Sequence, residues 1–388
     1  MVVHNMLLRK LGFINFILLL LISSPVFSAP ADISPALLEE ANNSFIFVFT
    51  DEVAAKDVPG LAKGLAAQGN GSVRKSFQAS IKGFSANMSA TAAAKLAAKN
   101  PNIAYFEQNG VASIPGRGGQ GKGPKNPPAE PPAQITPWGI TRVGGPWDGT
   151  GKTAWIIDSG IDTGNADLNI DTVRGRNFVG RARNPLDIKD KNGHGTHVAG
   201  TLAAINNTVG VVGVAANATI VPLKVFGASG QGFVDDIIEA VDYAAANAPA
   251  GDVVNMSLTT SGLFDSLRDA VLAAADKNIK FAVCAGNDSD YAANTDPARV
   301  DHANVRTISA IDRSDTFASF SNYGNPPIDY AAPGVGVESY VLNGEIQSWD
   351  GCSMATPHVA GIMLFEEPNT DGTAQNDPDT NPDPIAHF

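Results

Sequence analysis

Hydrophobic and polar positions change texture three times along the chain. Between residues 44 and 112, short apolar runs alternate with Ala-rich stretches. FIFVFT (45–50) reads as a buried strand, 53–68 as an Ala/Leu helix, VRKSFQAS and KGFSANM as short strands, SATAAAKLAAKN (89–100) as a helix capped by Ser89, and IAYFEQ as a closing strand. The order βαββαβ predicts a small ferredoxin-like α+β unit.

From about residue 133 the runs lengthen and stop alternating. TAWIIDSGI, ATIVPLKVF, DVVNMSL, IKFAVCAGN and VRTISAI are apolar at successive positions. Such runs predict strands covered on both faces, as in a parallel sheet. Between them HGTHVAGTLAAI, FVDDIIEAVDYAAANA and FDSLRDAVLAAADKN read as helices. In the second, Ile237, Val241 and Ala244 recur at helical spacing. Alternating strands and helices predict a doubly wound α/β domain over 133–365, with its active site at the carboxyl ends of the strands.

The remaining segments lack such patterns. Residues 113–132 are dominated by Gly and Pro and contain Arg117, Lys122 and Lys125, which predicts an exposed, protease-sensitive linker. Residues 366–388 carry six acidic residues, no Lys or Arg and few apolar ones, which predicts a disordered acidic tail. At the start, Arg9 and Lys10 precede an apolar run (11–22), and Val26 and Ser28 stand at −3 and −1 before Ala29. This is a secretory signal pattern over residues 1–28, so the mature chain is expected to be extracellular and free of the membrane.

Composition narrows the function. A formal charge of −12 disfavours a nucleic-acid or anionic-membrane binder. The two cysteines, Cys284 and Cys352, form neither a disulfide framework nor a zinc ribbon; a bridge between them is conceivable, but sequence does not supply its geometry, and both are read as free thiols.

Three polar residues terminate elements and face one crevice. Asp158 ends AWIID, His194 opens HGTHVAG and Ser353 opens SMATPHVAGIMLF. Serine-based peptide hydrolysis needs a base for the hydroxyl proton, a carboxylate to orient that base, and donors for the oxyanion. His194, Asp158 and Ser353 supply the first set, and the amide of Asn287, at the end of FAVCAGN, supplies an oxyanion donor. Gly195 and Gly351 leave room for backbone near substrate. Pro357 is expected to fall in the first helical turn, where N–H groups have no partner to lose. Taken singly, these residues have plainer readings. Ser353 would be a helix cap and Asp158 a turn residue. His197 and His358 are structural histidines, since HEXXH is absent.

DSGID (158–162), GHGTHVAGT (193–201), AGND (285–288) and GCSMATPHVAG (351–361) together resemble the four signature blocks of the subtilisin-like serine proteases, in that family's order Asp, His, Ser. The resemblance implies a three-layer parallel-sheet catalytic domain and a secreted serine endopeptidase, acting as a monomer on protein or peptide substrates. It also implies that 44–112 is a propeptide, an inhibitor and chaperone that is the enzyme's own partner until cut off in the linker. Gly230 and Gly232 resemble the strand that pairs with substrate, Ser257 and Leu258 the opposite wall, and Asp288 the rim of the primary pocket. Thr259 and Thr260 stand where the family usually has Gly. LAAINNTVGVVG resembles the family's calcium loop, which implies a Ca2+ held by Gln134, Asp167 and Asn207 with the carbonyls of Ile205, Val209 and Val211. Cys352 replaces the usual Thr, and Ser353 remains the nucleophile.

The family usually continues well past the nucleophile helix, whereas apolar sequence here stops near Phe365. That departure defines the rival reading: a truncated, inactive fold acting as a secreted binding protein, distinguished by its failure to process itself. An α/β-hydrolase esterase would require GxSxG, and residues 351–355 end in Ala.

Overall fold

The computed structural model describes residues 33–115, 132–180 and 184–388. The signal segment expected over 1–28 and most of the linker, 116–131, lie outside the described residues.

The small N-terminal unit is a four-stranded antiparallel sheet in the order Ser72–Phe77, Gly83–Asn87, Ser44–Phe49, Ile103–Gln108, with helices Val58–Gln68 and Ala90–Lys99 on one face. Ser89 caps the second helix, its Oγ accepting from Ala92 N at 3.3 Å. The run 45–49 is apolar throughout because both its faces are covered. Phe45, Phe47 and Phe49 pack beneath the unit's own helices. Ile46 and Val48 pack instead in the core of the large domain.

In the large domain the parallel strands run Tyr330–Pro333, Val305–Ile311, Lys280–Cys284, Val253–Met256, Thr153–Asp158, Thr219–Lys224. Strand Thr153–Asp158 shows why its sequence does not alternate. Ala154 and Ile156 face helices His194–Ala203 and Cys352–Met363, while Trp155 and Ile157 face Val234–Asn247 and Asp265–Ala275. The result is three layers, helix–sheet–helix, with both sides of the sheet dry.

The segment expected to be a disordered tail is instead ordered. Pro384–His387 adds a parallel strand at the sheet edge beside Tyr330–Pro333, and Asn369–Thr373 pairs antiparallel with it. Its few apolar positions anchor it: Ile385 and Ala386 are fully buried, Ala374 is buried beside Ile385, Phe388 stacks on Trp147 at 4.1 Å, and buried Asp383 accepts the Ser309 hydroxyl at 2.6 Å. The scarcity of apolar residues concealed this strand, because an edge strand needs only a few contacts with a core built elsewhere.

Two further expectations are corrected. Cys284 and Cys352 are not free thiols. Their Cα atoms lie 5.3 Å apart, within disulfide range, and the sulfurs are bonded. The two residues are brought together by the packing of the nucleophile helix on strand Lys280–Cys284, across 68 residues of sequence. Pro357 lies in the interior of helix Cys352–Met363, beyond the first turn. Its missing N–H would have bonded to the Ser353 carbonyl. That carbonyl accepts the Ser257 hydroxyl instead, at 3.0 Å.

Candidate active site

Asp158 is the last residue of a central strand and is completely buried. Both its carboxylate oxygens lie 2.9 Å from His194 Nδ1. This contact holds the imidazole in the tautomer that leaves Nε2 as a base. His194 Nε2 is buried without a hydrogen-bond partner. Ser353 Oγ points to the Ser257 carbonyl at 3.4 Å rather than to that nitrogen.

His194 begins its helix after Gly193, whose φ of 108° is left-handed and favours glycine. A Cβ on Gly195 would meet Gly160 O at 2.2 Å and Asp158 Oδ1 at 3.1 Å, so close packing of helix on carboxylate requires glycine there.

Asp190 was not singled out in the sequence, although it lies in the polar loop before His194. Its carboxylate accepts from Ser159 Oγ (2.9 Å), Asn192 N (2.8 Å), Gly193 N (3.0 Å) and Thr196 Oγ1 (2.7 Å). It ties the Asp158 strand end to the start of the His194 helix. Burial raises its pKa above the usual carboxylate range, while the hydrogen bonds oppose that shift. An Asp just before a helix start was the available signal. His197 and His358 are fully buried, and burial lowers them to about 3 and about 4, so both stay neutral. His197 stacks on Trp349 at 4.8 Å and bonds backbone carbonyls of Val337 and Gln347.

A groove leads to these residues, and a strand fills it. Val111–Ser113 lies antiparallel between Gln231–Phe233 and Thr259–Thr260, pairing Ala112 with Gly232 and Ser113 with Thr259. Ile114 N donates to Gly230 O at 3.0 Å. Asn287 Nδ2 then donates to Pro115 O at 2.9 Å. Residues 113–115, assigned by composition to the linker, thus take part in sheet-like pairing. Thr260 turns its hydroxyl to Gly262 O at 2.6 Å, away from the strand. Leu258 is buried, and Asp288 lies in an exposed turn with its N–H on Asn322 Oδ1.

The small unit is also fastened at its sheet face. Arg74 pairs with Asp235 at 2.8 Å, Lys75 with Asp236 at 3.1 Å and Glu239 at 2.6 Å. Asp242 Oδ1 accepts three successive N–H groups, from Gln78, Ala79 and Ser80. Glu107 accepts the N–H groups of Asp265 and Ser266 at a helix start.

The six residues of the implied calcium site do come together. Segment 133–135 bridges to Val209 and Val211. Gln134 Nε2 lies 2.8 Å from Ile205 O and 3.4 Å from Val209 O, Val211 O and Asn207 Oδ1. The Asn207 amide donates to Asp167, which also accepts from Tyr340. Four acceptors around one amide nitrogen exceed its two hydrogens, and an oxygen-rich set of this kind suits a hard cation. Asp167 is its one carboxylate. Among the described residues no group of three or more His, Cys, Asp or Glu could hold a metal.

Comparison with known proteins agrees with this geometry. Residues 149–367 match the model described as the subtilase family. The chain is 35% identical over 306 residues to alkaline serine exoprotease A of Vibrio alginolyticus, covering 76% of this chain and 53% of that protein. It is 41% identical over 239 residues to subtilisin Savinase of Lederbergia lenta, covering 60% of this chain and 84% of the relative. It therefore spans about half the length of the first relative. A solved cold adapted subtilisin-like serine proteinase superposes with a TM-score of 0.53 at 36% identity, covering 59% of this chain and 83% of that one.

Proposed function

The chain belongs to the subtilase family, and from that premise we propose that it is a secreted serine endopeptidase made as an autoinhibited precursor. The observation that carries this reading is the Asn287 amide on the Pro115 carbonyl, 2.9 Å away, at the end of a strand paired with both groove walls. A peptide carbonyl held by an amide donor beside a serine at a helix start is a substrate pose.

Ser353 Oγ attacks the Pro115 carbonyl carbon, and His194 Nε2 takes the hydroxyl proton. Asp158 orients the ring and stabilises its cationic form. The developing oxyanion is held by Asn287 Nδ2 and the Ser353 N–H at the positive end of its helix. As the intermediate collapses, His194 returns the proton to the leaving nitrogen of Gly116. Pro115 is then esterified to Ser353, and water releases it by the same steps. Residues 44–115 are the propeptide, and the bond between Pro115 and Gly116 is the self-cleavage site. Other proteins or peptides enter the same groove by strand pairing with Gly230, Gly232 and the segment from Ser257 to Thr259. The signal pattern at 1–28 supports secretion, and among the described residues no helix is long and apolar enough to cross a membrane.

Gln134, Asp167 and Asn207 with the carbonyls of Ile205, Val209 and Val211 would hold Ca2+, which when bound supplies a structural clamp between segment 133–135 and loop 205–211.

A tagged fluorophosphonate tests the reading on the full chain and on Ser353→Ala, by intact mass. The expected result is a chain shortened to Gly116 and labelled at Ser353, with Ser353→Ala unprocessed and unlabelled. A folded wild-type chain that neither shortens nor labels would sink the enzyme reading in favour of a binding protein.

A further inference from the structure

The Asn287 amide can act on an oxyanion only if its nitrogen, rather than its oxygen, faces the groove. The structure shows what sets that choice. Asn287 Oδ1 accepts the Cys352 N–H at 2.9 Å, which turns Nδ2 outward to Pro115 O. Cys352 is the residue before the nucleophile and the first of its helix. The loop that carries Asn287 is held by the same residue: Gly286 N donates to Cys352 Sγ at 3.2 Å. Gly286 itself has a φ of 113°, so the loop leaves its strand through a left-handed turn. Cys284, the last residue of that strand, is bonded to Cys352, and both are completely buried. The sulfur bridge thus closes a small ring directly behind the oxyanion donor: Cys284, Ala285, Gly286 and Asn287 on one side, Cys352 on the other. On the far side of the loop, Asn322 bonds Ala285 O at 3.0 Å and accepts from Asp288 N at 2.9 Å.

We propose that the Cys284–Cys352 disulfide is a positioning element for catalysis, which locks the two parts of the oxyanion hole, the Asn287 amide and the start of the Ser353 helix, in one geometry. The bridge makes no contact with the reacting atoms and acts through Asn287. A hydrogen bond alone lets loop and helix separate by the few tenths of an ångström that weaken an oxyanion contact, and a covalent link across strand and helix does not. This inference rests on the endopeptidase reading above.

The test uses the full chain, wild type and C284A/C352T, on a succinylated tetrapeptide anilide. Removing an oxyanion amide from a subtilisin costs about 100- to 1,000-fold in kcat, and loss of its positioning should cost part of that, about 10- to 100-fold, with KM nearly unchanged. In an Asn287→Ala background the same two substitutions should change kcat by less than about twofold, because the groups act as one unit. A bridge that served stability alone would lower kcat equally in both backgrounds or in neither, and either result overturns the proposal. Free thiols on unreduced, denatured wild-type protein would overturn it as well. If C284A/C352T does not fold, wild-type protein reduced by a phosphine and verified by mass takes its place. If the wild-type chain hydrolyses nothing and takes no fluorophosphonate, the endopeptidase reading fails separately. The Asn287 side-chain amide signals in 1H–15N spectra, assigned by Asn287→Ala, then decide: they shift when the bridge is removed if the bridge positions that amide, and stay in place if it does not.

Discussion

Ser257 and Ser353 hold one another across the crevice: Ser257 Oγ donates to Ser353 O at 3.0 Å, and Ser353 Oγ donates to Ser257 O at 3.4 Å. The first bond exists because Pro357 has no N–H to occupy the Ser353 carbonyl. Ser257→Ala should therefore leave a buried carbonyl without its donor and lower unfolding free energy by about 1–3 kcal/mol. Restoring an N–H by Pro357→Ala should reduce that penalty. Urea denaturation of the four inhibited proteins measures both, and equal penalties with and without Pro357 would refute the account.

Pro115 presents its carbonyl to Asn287 but has no N–H with which to continue the strand's pairing to the groove walls. Pro115→Ala supplies that donor. One added hydrogen bond, at about 0.5–1.5 kcal/mol, should speed self-cleavage by about two- to tenfold. The rate at which the new N-terminus at Gly116 appears is the measurement. A new terminus elsewhere, at an unchanged rate, would show that Pro115 is not the residue being cut.

Asp383 ties the last strand to the sheet through Ser309. Burial pushes its carboxyl up to about 7, the Ser309 bond opposes this, and the charges of Asp377 and Asp379 add to the rise. The folded protein therefore favours the neutral acid. That contribution to stability is complete below the ordinary carboxylate pKa of 3.8 and is lost as pH rises through about 7. Its slope is at most about 1.4 kcal/mol per pH unit. Asp383→Asn should remove this dependence and stabilise the protein above pH 7. Thermal unfolding of both proteins from pH 4 to 9 checks it, and parallel curves would disprove it.

Calcium should raise the unfolding temperature, since a ligand bound only by the folded state stabilises it, by about 2.7 kcal/mol at 100 times its Kd. Asp167→Ala removes the one carboxylate of the set and Asn207→Ala an oxygen that faces Gln134. Both variants should lose most of the calcium-dependent shift, and Asp167→Ala should in addition melt below wild type in chelator, because it leaves the buried Tyr340 hydroxyl without its acceptor. A wild-type protein indifferent to chelator would exclude the site.

Local sequence determined the parts of this protein whose physical cause is local. Unbroken runs such as AWIID mark strands buried on both faces, and the structure divides Ala154 and Ile156 from Trp155 and Ile157 accordingly. Ser89 caps its helix through an atom three residues away. The motifs around Asp158, His194, Asn287 and Ser353 mark element ends, because a chemical group that must face a crevice has to stand where a strand or helix stops. What the tertiary structure alone decided depends on contacts across long sequence separations. No window around Cys284 contains Cys352. Nothing near Pro357 announces that Ser257 will take the carbonyl it frees. The acidic stretch after Phe365 looks incapable of folding by composition, yet Ile385 needs only a prebuilt sheet edge beside Ala331. Pro115 reads as linker until two strands, more than a hundred residues downstream, close around the segment before it. Period and motif are properties of neighbours along the chain, whereas these four features are properties of neighbours in space, and only packing creates them.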